Sequence, residues 1–459
     1  MSNASLRAQA ADLILAISRQ QRLLEDMQAQ LEDLKRRLDS IVYPVLTLPP
    51  EISSEIFLYC IPSTRPLDVV NIDEAPLLLM RICSAWRQIA VSTPALWSTF
   101  KIDADYIRPH FSEIVGTWLS RARLCPLSVT ITGPLFGIRH FDSLLESLRR
   151  HSGVMRSLEL NMVIGDLTEM ATHPMSFPML QKLAIGFRDG VLSDSTCVKM
   201  FDYVPMLHEL LLHYALPSFI TLPWQQLTKF TAEWYSLAEC LEALQLMPNI
   251  VESRLVGVLL AEDNGVPLDS ISHPKIQYFA LVDSNTEILN FLTLPGLQTL
   301  EILDFGNGFS GFDSEAFGDF LSRSAPSLRK IVIQSDHAID LRLISLSALP
   351  ALVDLEIWHP PTAFVAALFD LPGLKHVQRL SLLSCREATD EASIFDVIEL
   401  ASGMIPHRRT TWPDLRSFRF VAASERYLPI FSDEMLLPFR KLKEEGIDVY
   451  IGTETESFV

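Results

Sequence analysis

Apolar positions follow two different rhythms along this chain. Up to about residue 41 they recur at Leu13, Ile17, Leu24, Met27, Leu31, Leu34, Leu38 and Ile41. From Leu24 onward the steps alternate between three and four, which keeps one stripe on one side of a helix, as in a coiled-coil seam. Gln20 fills the gap in that stripe, and a polar seam residue can fix register or partner number. No proline precedes Pro44, and the first forty residues hold no glycine. A coiled-coil-like helix is therefore predicted over residues 1–42. Two placements stay open for it. It pairs with another chain, most simply as a homodimer through residues 13–41, or it packs back on the body of its own chain.

The second rhythm begins after residue 150. Proline, any residue, apolar, two others, apolar, any, apolar returns again and again: Pro178-Met-Leu180-Gln-Lys-Leu183-Ala-Ile185, then from Pro205, Pro274, Pro295, Pro326, Pro350 and Pro413. Weaker copies surround Leu158, Phe230, Leu255 and Leu380. The central positions are Leu158, Leu183, Leu210, Phe230, Ser253, Phe279, Leu300, Ile331, Leu355, Leu380 and Phe418. They stand 20 to 31 residues apart, with one gap of 38. The alternating L-x-L reads as a short strand with one face inward. The proline stops a preceding helix, since it disfavours helix just before it. Helices are predicted at Ser195–Tyr203, Ser236–Leu246, Glu287–Leu292, Ser314–Ser322, Ala363–Phe369 and Glu391–Ala401. Strand, turn and helix at this period resemble leucine-rich repeats and stack into a solenoid with a parallel sheet on its concave side. Trp97–Ile102 and Pro126–Ile131 read as its first strands, placing the array directly after the preceding segment. Ile447–Ile451 reads as its last, with the C-terminal residues expected to fray.

Between the two rhythms lies Leu48-Pro49-Pro50-Glu51-Ile52-Ser53-Ser54-Glu55-Ile56-Phe57, a rigid turn opening a helix with Ile52, Ile56 and Phe57 on one face. Ile82-Cys83-Ser84-Ala85-Trp86-Arg87-Gln88-Ile89-Ala90 again has helical spacing, and Pro94-Ala95-Leu96-Trp97 closes the segment. Short helices within about fifty residues bury little surface alone. The ordered set resembles an F-box, of the kind found in F-box-like proteins of mushroom-forming fungi. The segment Ile61–Ala75 is longer and richer in proline than the usual link between box helices. The resemblance implies that Leu48, Pro49, Ile52, Ile56, Phe57, Cys83 and Trp86 face a Skp-family adaptor joined to a cullin complex. For Leu96 and Trp97 the reading is packing against the first repeat.

The implied architecture is α/β: a coiled-coil-like helix at 1–42, a small all-α F-box-like domain at 46–97, an irregular repeat solenoid at 98–452 and a tail at 453–459. The implied function is a substrate-recognition subunit of a Skp–cullin–F-box ubiquitin ligase, which does no chemistry itself. The other reading is an interaction scaffold unconnected to ubiquitin. Charge sharpens this. The net charge is −18, and the first 41 residues are balanced, so all of it lies beyond them. Such a chain repels a phosphate backbone, and no nucleic-acid partner is expected. Six scattered cysteines without a C-x-x-C pair suit a reducing compartment. No signal-like N-terminus and no run near the ~18 apolar residues of a membrane span appear, so a cytoplasmic or nuclear protein without membrane contact is expected.

Candidate chemistry is thin. Gly306-Asn-Gly308-Phe-Ser-Gly311 matches a dinucleotide-binding spacing, but it stands alone inside a repeat and reads as a loop. His208, Glu209 and His213 lack the one-turn histidine spacing of a zinc helix. No enzyme activity, cofactor or metal is expected. The outward strand positions are the candidate target-binding face: Glu209, His213, Glu233, Arg254, Glu301, Glu356 and Trp358, with Lys229, Lys330, Arg379 and Arg419 beside them. Leu211, Ala280, Leu303 and Val332 are apolar outward positions, expected to be covered by a loop or a partner.

Overall fold

The computed structural model describes residues 3–39, 47–62, 65–106, 111–135, 141–188, 197–259, 270–305, 313–324, 326–334, 349–358, 368, 376–385, 399, 401–402, 412–422, 432–453 and 456–459. The chain forms two compact units. One comprises Met1–Leu67 and Asn71–Trp97, the other Asp68–Val70 and Ser98–Val459.

The first unit is helical. Helix α1 (Asn3–Asp39) runs unbroken for 37 residues. Helix α2 (Pro50–Tyr59) starts on the two prolines: Pro49 is extended, with φ −53° and ψ 143°, and Pro50 occupies the first turn, where its missing N–H costs nothing. Helices α3 (Leu79–Ile82) and α4 (Ser84–Ser92) pack together, and α2 packs on α4. Their core is aromatic. Phe57 packs against Trp86 with tilted rings, centroids 4.9 Å apart and 56° between planes, and the Trp97 indole donates to the Ala90 carbonyl at 2.9 Å. Leu96 and Trp97 are fully buried.

The second unit is a large parallel sheet. Its strands are β1 (Leu67–Asp68, of which Asp68 belongs to this unit), β2 (Thr99–Asp103), β3 (Leu127–Thr132), β4 (Met155–Met162), β5 (Lys182–Phe187), β6 (Glu209–His213), β7 (Lys229–Glu233) and β8 (Glu252–Val256). A side pair, β9 (Ile271–Ser272) with β11 (Leu292–Thr293), flanks β10 (Tyr278–Val282) in sequence. The sheet continues through β12 (Thr299–Leu303), β13 (Lys330–Gln334), β14 (Asp354–Trp358), β15 (Arg379–Cys385), β16 (Ser417–Ala422) and β17 (Asp448–Gly452). Among the described residues it has fifteen strands, which neighbour one another in chain order. This is a repeat-type α/β arrangement, as in a leucine-rich-repeat solenoid.

The register matches the sequence pattern. Phe100, Val129, Leu158, Leu183, Leu210, Phe230, Ser253, Phe279, Leu300, Ile331, Leu355, Leu380, Phe418 and Val449 stand opposite one another from strand to strand. All are buried, forming one continuous row. The exception in kind is Ser253, whose hydroxyl has no partner. It stands between Phe230 and Phe279, whose rings supply the bulk a serine lacks.

Five of the repeat prolines, Pro178, Pro205, Pro295, Pro350 and Pro413, close a turn. Each sits at the second position of a tight turn, where its fixed φ is already suited. Leu180 N–H reaches the Phe177 carbonyl at 3.2 Å across Pro178, and Leu297 reaches Leu294 at 3.1 Å across Pro295. The same closure recurs at Pro205, Pro350 and Pro413. Both ends of each turn are buried apolar residues, so the turn itself plugs the layer behind the sheet.

Several expectations need correction. Residues 197–203 are not helical: Val198 is extended, bridging Ile220 in parallel and accepting from Thr221 at 2.9 Å. The segment near Glu287 is a six-residue 3-10 helix, Thr286–Phe291. Ser236 caps the helix Leu237–Leu246 through a reciprocal pair with Glu239, and a helix over Ser314–Ser324 forms as predicted. The C-terminus does not simply fray. Ser457 bridges Gly452, and Phe458 N–H donates to the Ile451 carbonyl at 2.6 Å. A Cβ on Gly452 would stand 1.9 Å from the Glu456 carbonyl oxygen, so only glycine admits this return. The Gly306–Gly311 segment and most of the two late predicted helices lie outside the described residues, as does 40–46 at the end of the first seam.

Candidate partner-binding surfaces

Helix α2 carries its side chains in two distinct stripes. Ser53 and Phe57 point inward and are buried. On another face, Ile52 is 49% exposed and Ile56 44%, with Tyr59 one further turn along at 90%. Leu48, just before the helix, is 36% exposed, and Pro49 is exposed too. A helix with a buried side of its own thus presents a second apolar stripe to water, the kind of surface that marks a docking face.

The seven residues expected to meet an adaptor therefore separate. Leu48, Pro49, Ile52 and Ile56 are exposed. Phe57, only 2% exposed, is part of the unit's own core and is not available to a partner. The reason is geometric: residue 57 lies one position past 56 and so about 100° around the helix, onto the side facing Trp86. Trp86 is half-buried beneath it. Cys83 has a local task. Its backbone is extended at φ −155°, and its sulfur accepts the Trp86 N–H at 3.4 Å, capping α4. Sequence reasoning passed over Ile82, Ile72 and Tyr59, all more than half exposed. Ile82 stood in the quoted segment, but helical spacing alone could not tell its outer face from its inner one.

The outward face of the parallel sheet is laid out in three lateral rows, because in-register strands bring equivalent positions side by side. In the first row Lys182, Glu209, Lys229 and Glu252 alternate in charge. Lys182 pairs with Glu209 at 2.7 Å and Lys229 with Glu252 at 2.6 Å. The hydrogen bond to Glu252 holds the Lys229 ammonium above its ordinary value. Further along, Asp354 pairs with Arg379 at 3.0 Å.

The middle row holds Arg254, Glu301 and Glu356. The Tyr278 hydroxyl donates to Glu301 Oε2 at 2.5 Å. Burial first, and then Glu301, push the Tyr278 phenol up to about 12. Glu356 receives Lys330 at 3.3 Å and the Trp358 indole at 2.8 Å. At the row's far end the Arg419 guanidinium lies 5.2 Å from the Tyr450 ring centroid. The third row contains His213 and Glu233 in adjacent register, with Nδ1 and Oε2 2.8 Å apart.

The structure thus brings His213 to Glu233, and Glu356 to Trp358, but it does not gather all seven target candidates. Six strand spacings separate β6 from β14, about 29 Å at ~4.8 Å each. Most of these charges already have neighbours within the sheet. Of the apolar outward positions, Ala280 and Val332 are buried by the chain itself, while Leu211 and Leu303 are half-buried.

One feature had no sequence signal beyond a lone glycine. The residues that follow β6, β7, β8 and β10 are Tyr214, Trp234, Gly257 and Asp283, and all four have left-handed backbones, φ 45° to 65°. Each N–H continues the ladder: Trp234 donates to the Val256 carbonyl at 2.8 Å and Gly257 to Val282 at 2.9 Å. The Tyr214 and Trp234 rings stack with centroids 6.2 Å apart and 11° between planes. The Trp234 ring covers Gly257 on its other side, occupying the space a Cβ would need at 2.7 Å. The stack is thus filled by the chain itself and offers no slot to a ligand.

Among the described residues, no three His, Cys, Asp or Glu side chains are grouped to hold a metal, and no helix is long and apolar enough to cross a membrane. No family model matches the sequence, and no curated protein matches it. Among solved structures, the chain is similar to a crystal structure of a Bacteroides fragilis protein determined by a structural genomics consortium. The identity is 10%, over 73% of this chain and 76% of that one, with a TM-score of 0.29. That likeness is too slight to bear weight. The class rests on the sheet itself: this is a repeat-type α/β protein with an N-terminal helical unit.

Proposed function

We propose that the chain is the target-recognition subunit of a Skp–cullin–F-box type ubiquitin ligase, with no chemistry of its own. The first unit would dock the adaptor, and the outward sheet face would hold a protein target. Holding a target beside the ubiquitin-carrying enzyme raises its effective concentration there, which is all such a subunit needs to contribute. The observation that carries the proposal is the bare apolar stripe of Leu48, Ile52 and Ile56, on a helix already anchored through Phe57. It supports the resemblance of the Leu48–Trp97 sequence to an F-box, because a box must hold its helices and still leave aliphatic side chains for its adaptor.

The test is capture of the full-length chain by a purified Skp-family adaptor. Ile52→Asp should weaken binding about thirtyfold or more, the loss expected when a charge replaces an interface anchor. Its circular dichroism should be unchanged, since Ile52 faces water. Phe57→Ala should instead lower the stability of the unit by about 3–5 kcal/mol. If the unaltered chain shows no binding at micromolar adaptor, the ligase reading is lost, and the stripe must serve another protein.

A further inference from the structure

Along the seam of α1 every large apolar side chain from Leu6 to Leu34 is bare. Leu6, Leu13, Ile17, Leu24, Met27, Leu31 and Leu34 are each 50% to 63% exposed. Together with Ala10 and Gln20 they form nine successive layers of a seam in steps of four and three, beginning about two turns earlier than the sequence pattern suggested. The helix is about 55 Å long at 1.5 Å per residue, enough for five heptads. Among the described residues nothing covers this stripe, and its own rhythm specifies what would: a second helix with the same spacing.

We infer that α1 pairs with α1 of a second copy of this chain, parallel and in register. Two features of the helix choose this arrangement over the antiparallel one. The first is Gln20. In a parallel pair it faces Gln20 of the second copy, and two carboxamides can each donate to and accept from the other. In an antiparallel pair that keeps the layers aligned, with Leu13 against Leu31 and Ile17 against Met27, Gln20 faces Leu24 and is left without a partner. The second is charge beside the seam. The flanking positions carry only three charges, Arg7, Lys35 and Arg37, all basic. The antiparallel arrangement sets Arg7 against Lys35 at both ends. The parallel one faces Gln30 with Lys35 and Gln9 with Ile14, and opposes no like charges. The acidic residues, Asp12, Glu25, Asp26, Glu32 and Asp33, lie on the outer face, clear of the seam.

A dimer of this kind would present two adaptor-docking faces and two repeat sheets on one assembly. The inference itself does not rest on the ligase reading, since it uses α1 alone. The experiment uses the full-length chain with the exposed Cys60 and Cys197 replaced by serine. Sedimentation should give twice the 51.7 kDa chain mass. Leu34→Cys should then form a cross-linked dimer under mild oxidation, as should Leu13→Cys. A monomeric mass, or a threefold one, would overturn the proposal. So would cross-linking that appears only when Leu13→Cys is mixed with Leu31→Cys, the signature of antiparallel pairing. The double variant Ile17→Asp, Leu31→Asp should return the chain to monomer while leaving adaptor capture unchanged. Loss of the dimer therefore reads separately from loss of the box.

Discussion

Gly257 shows how one residue carries information from three strands. Its backbone is left-handed, its N–H extends the ladder to Val282, and the Trp234 ring lies where a side chain would start. Gly257→Ala meets both a strained φ and a ring that is itself held against Tyr214. It should cost about 1–3 kcal/mol, read as a lower urea midpoint with unchanged slope. The neighbouring positions bear the same conformation without glycine. Tyr214 and Trp234 are compensated by their mutual stacking and by ladder hydrogen bonds, whereas Gly257 has no ring of its own and makes room for one. Ser253 is the converse case, a polar residue in an apolar row. Its place was legible because the spacing of the repeats pointed to it despite its chemistry.

At the scale of elements, the strand pairs show which outward charges are committed. Tyr278 on β10 and Glu301 on β12 stand two register positions apart across neighbouring strands, and the phenol is held neutral. Its folded-state value of about 12 lies above the ordinary value of about 10. The stabilisation is therefore complete below about pH 10 and is lost as pH rises through about 12. Glu301→Gln should lower the midpoint but leave it above 10, because burial, the larger cause, remains. Difference absorbance titration against Tyr278→Phe would measure it. The alternation of the strands was readable from L-x-L spacing, and so was the list of outward residues. Which of them touch was not readable, since it depends on lateral register between repeats 20 to 30 residues apart. The same limit explains Phe57. Helical spacing placed Ile52, Ile56 and Phe57 together, but only the position of Trp86 decides which of them is core.

At the scale of the molecule, the boundary between the units is not a single cut. Asp68–Val70 belongs with the sheet: Val69 N–H donates to the Lys101 carbonyl at 3.2 Å, and the buried Trp118 indole donates to the Val69 carbonyl at 3.2 Å. A fragment beginning at Ser98 should consequently be less stable to urea than the repeat unit that retains this segment, by about 1–3 kcal/mol for the loss of the buried indole's carbonyl partner alone. Equal midpoints for a Ser98 start and a start near Arg65 would show that Val69 contributes nothing. The sequence by itself determined the period, the strand centres, the seam of α1 and the apolar stripe before the repeats, because each is a local spacing that secondary structure converts directly into a face. The tertiary structure alone decided the role of Cys83 as a cap, the enclosure of Phe57, the return of the C-terminal residues onto β17 and the aromatic stack over Gly257. Those depend on contacts between segments far apart in the chain, and residue spacing within a segment carries no record of what another segment brings against it.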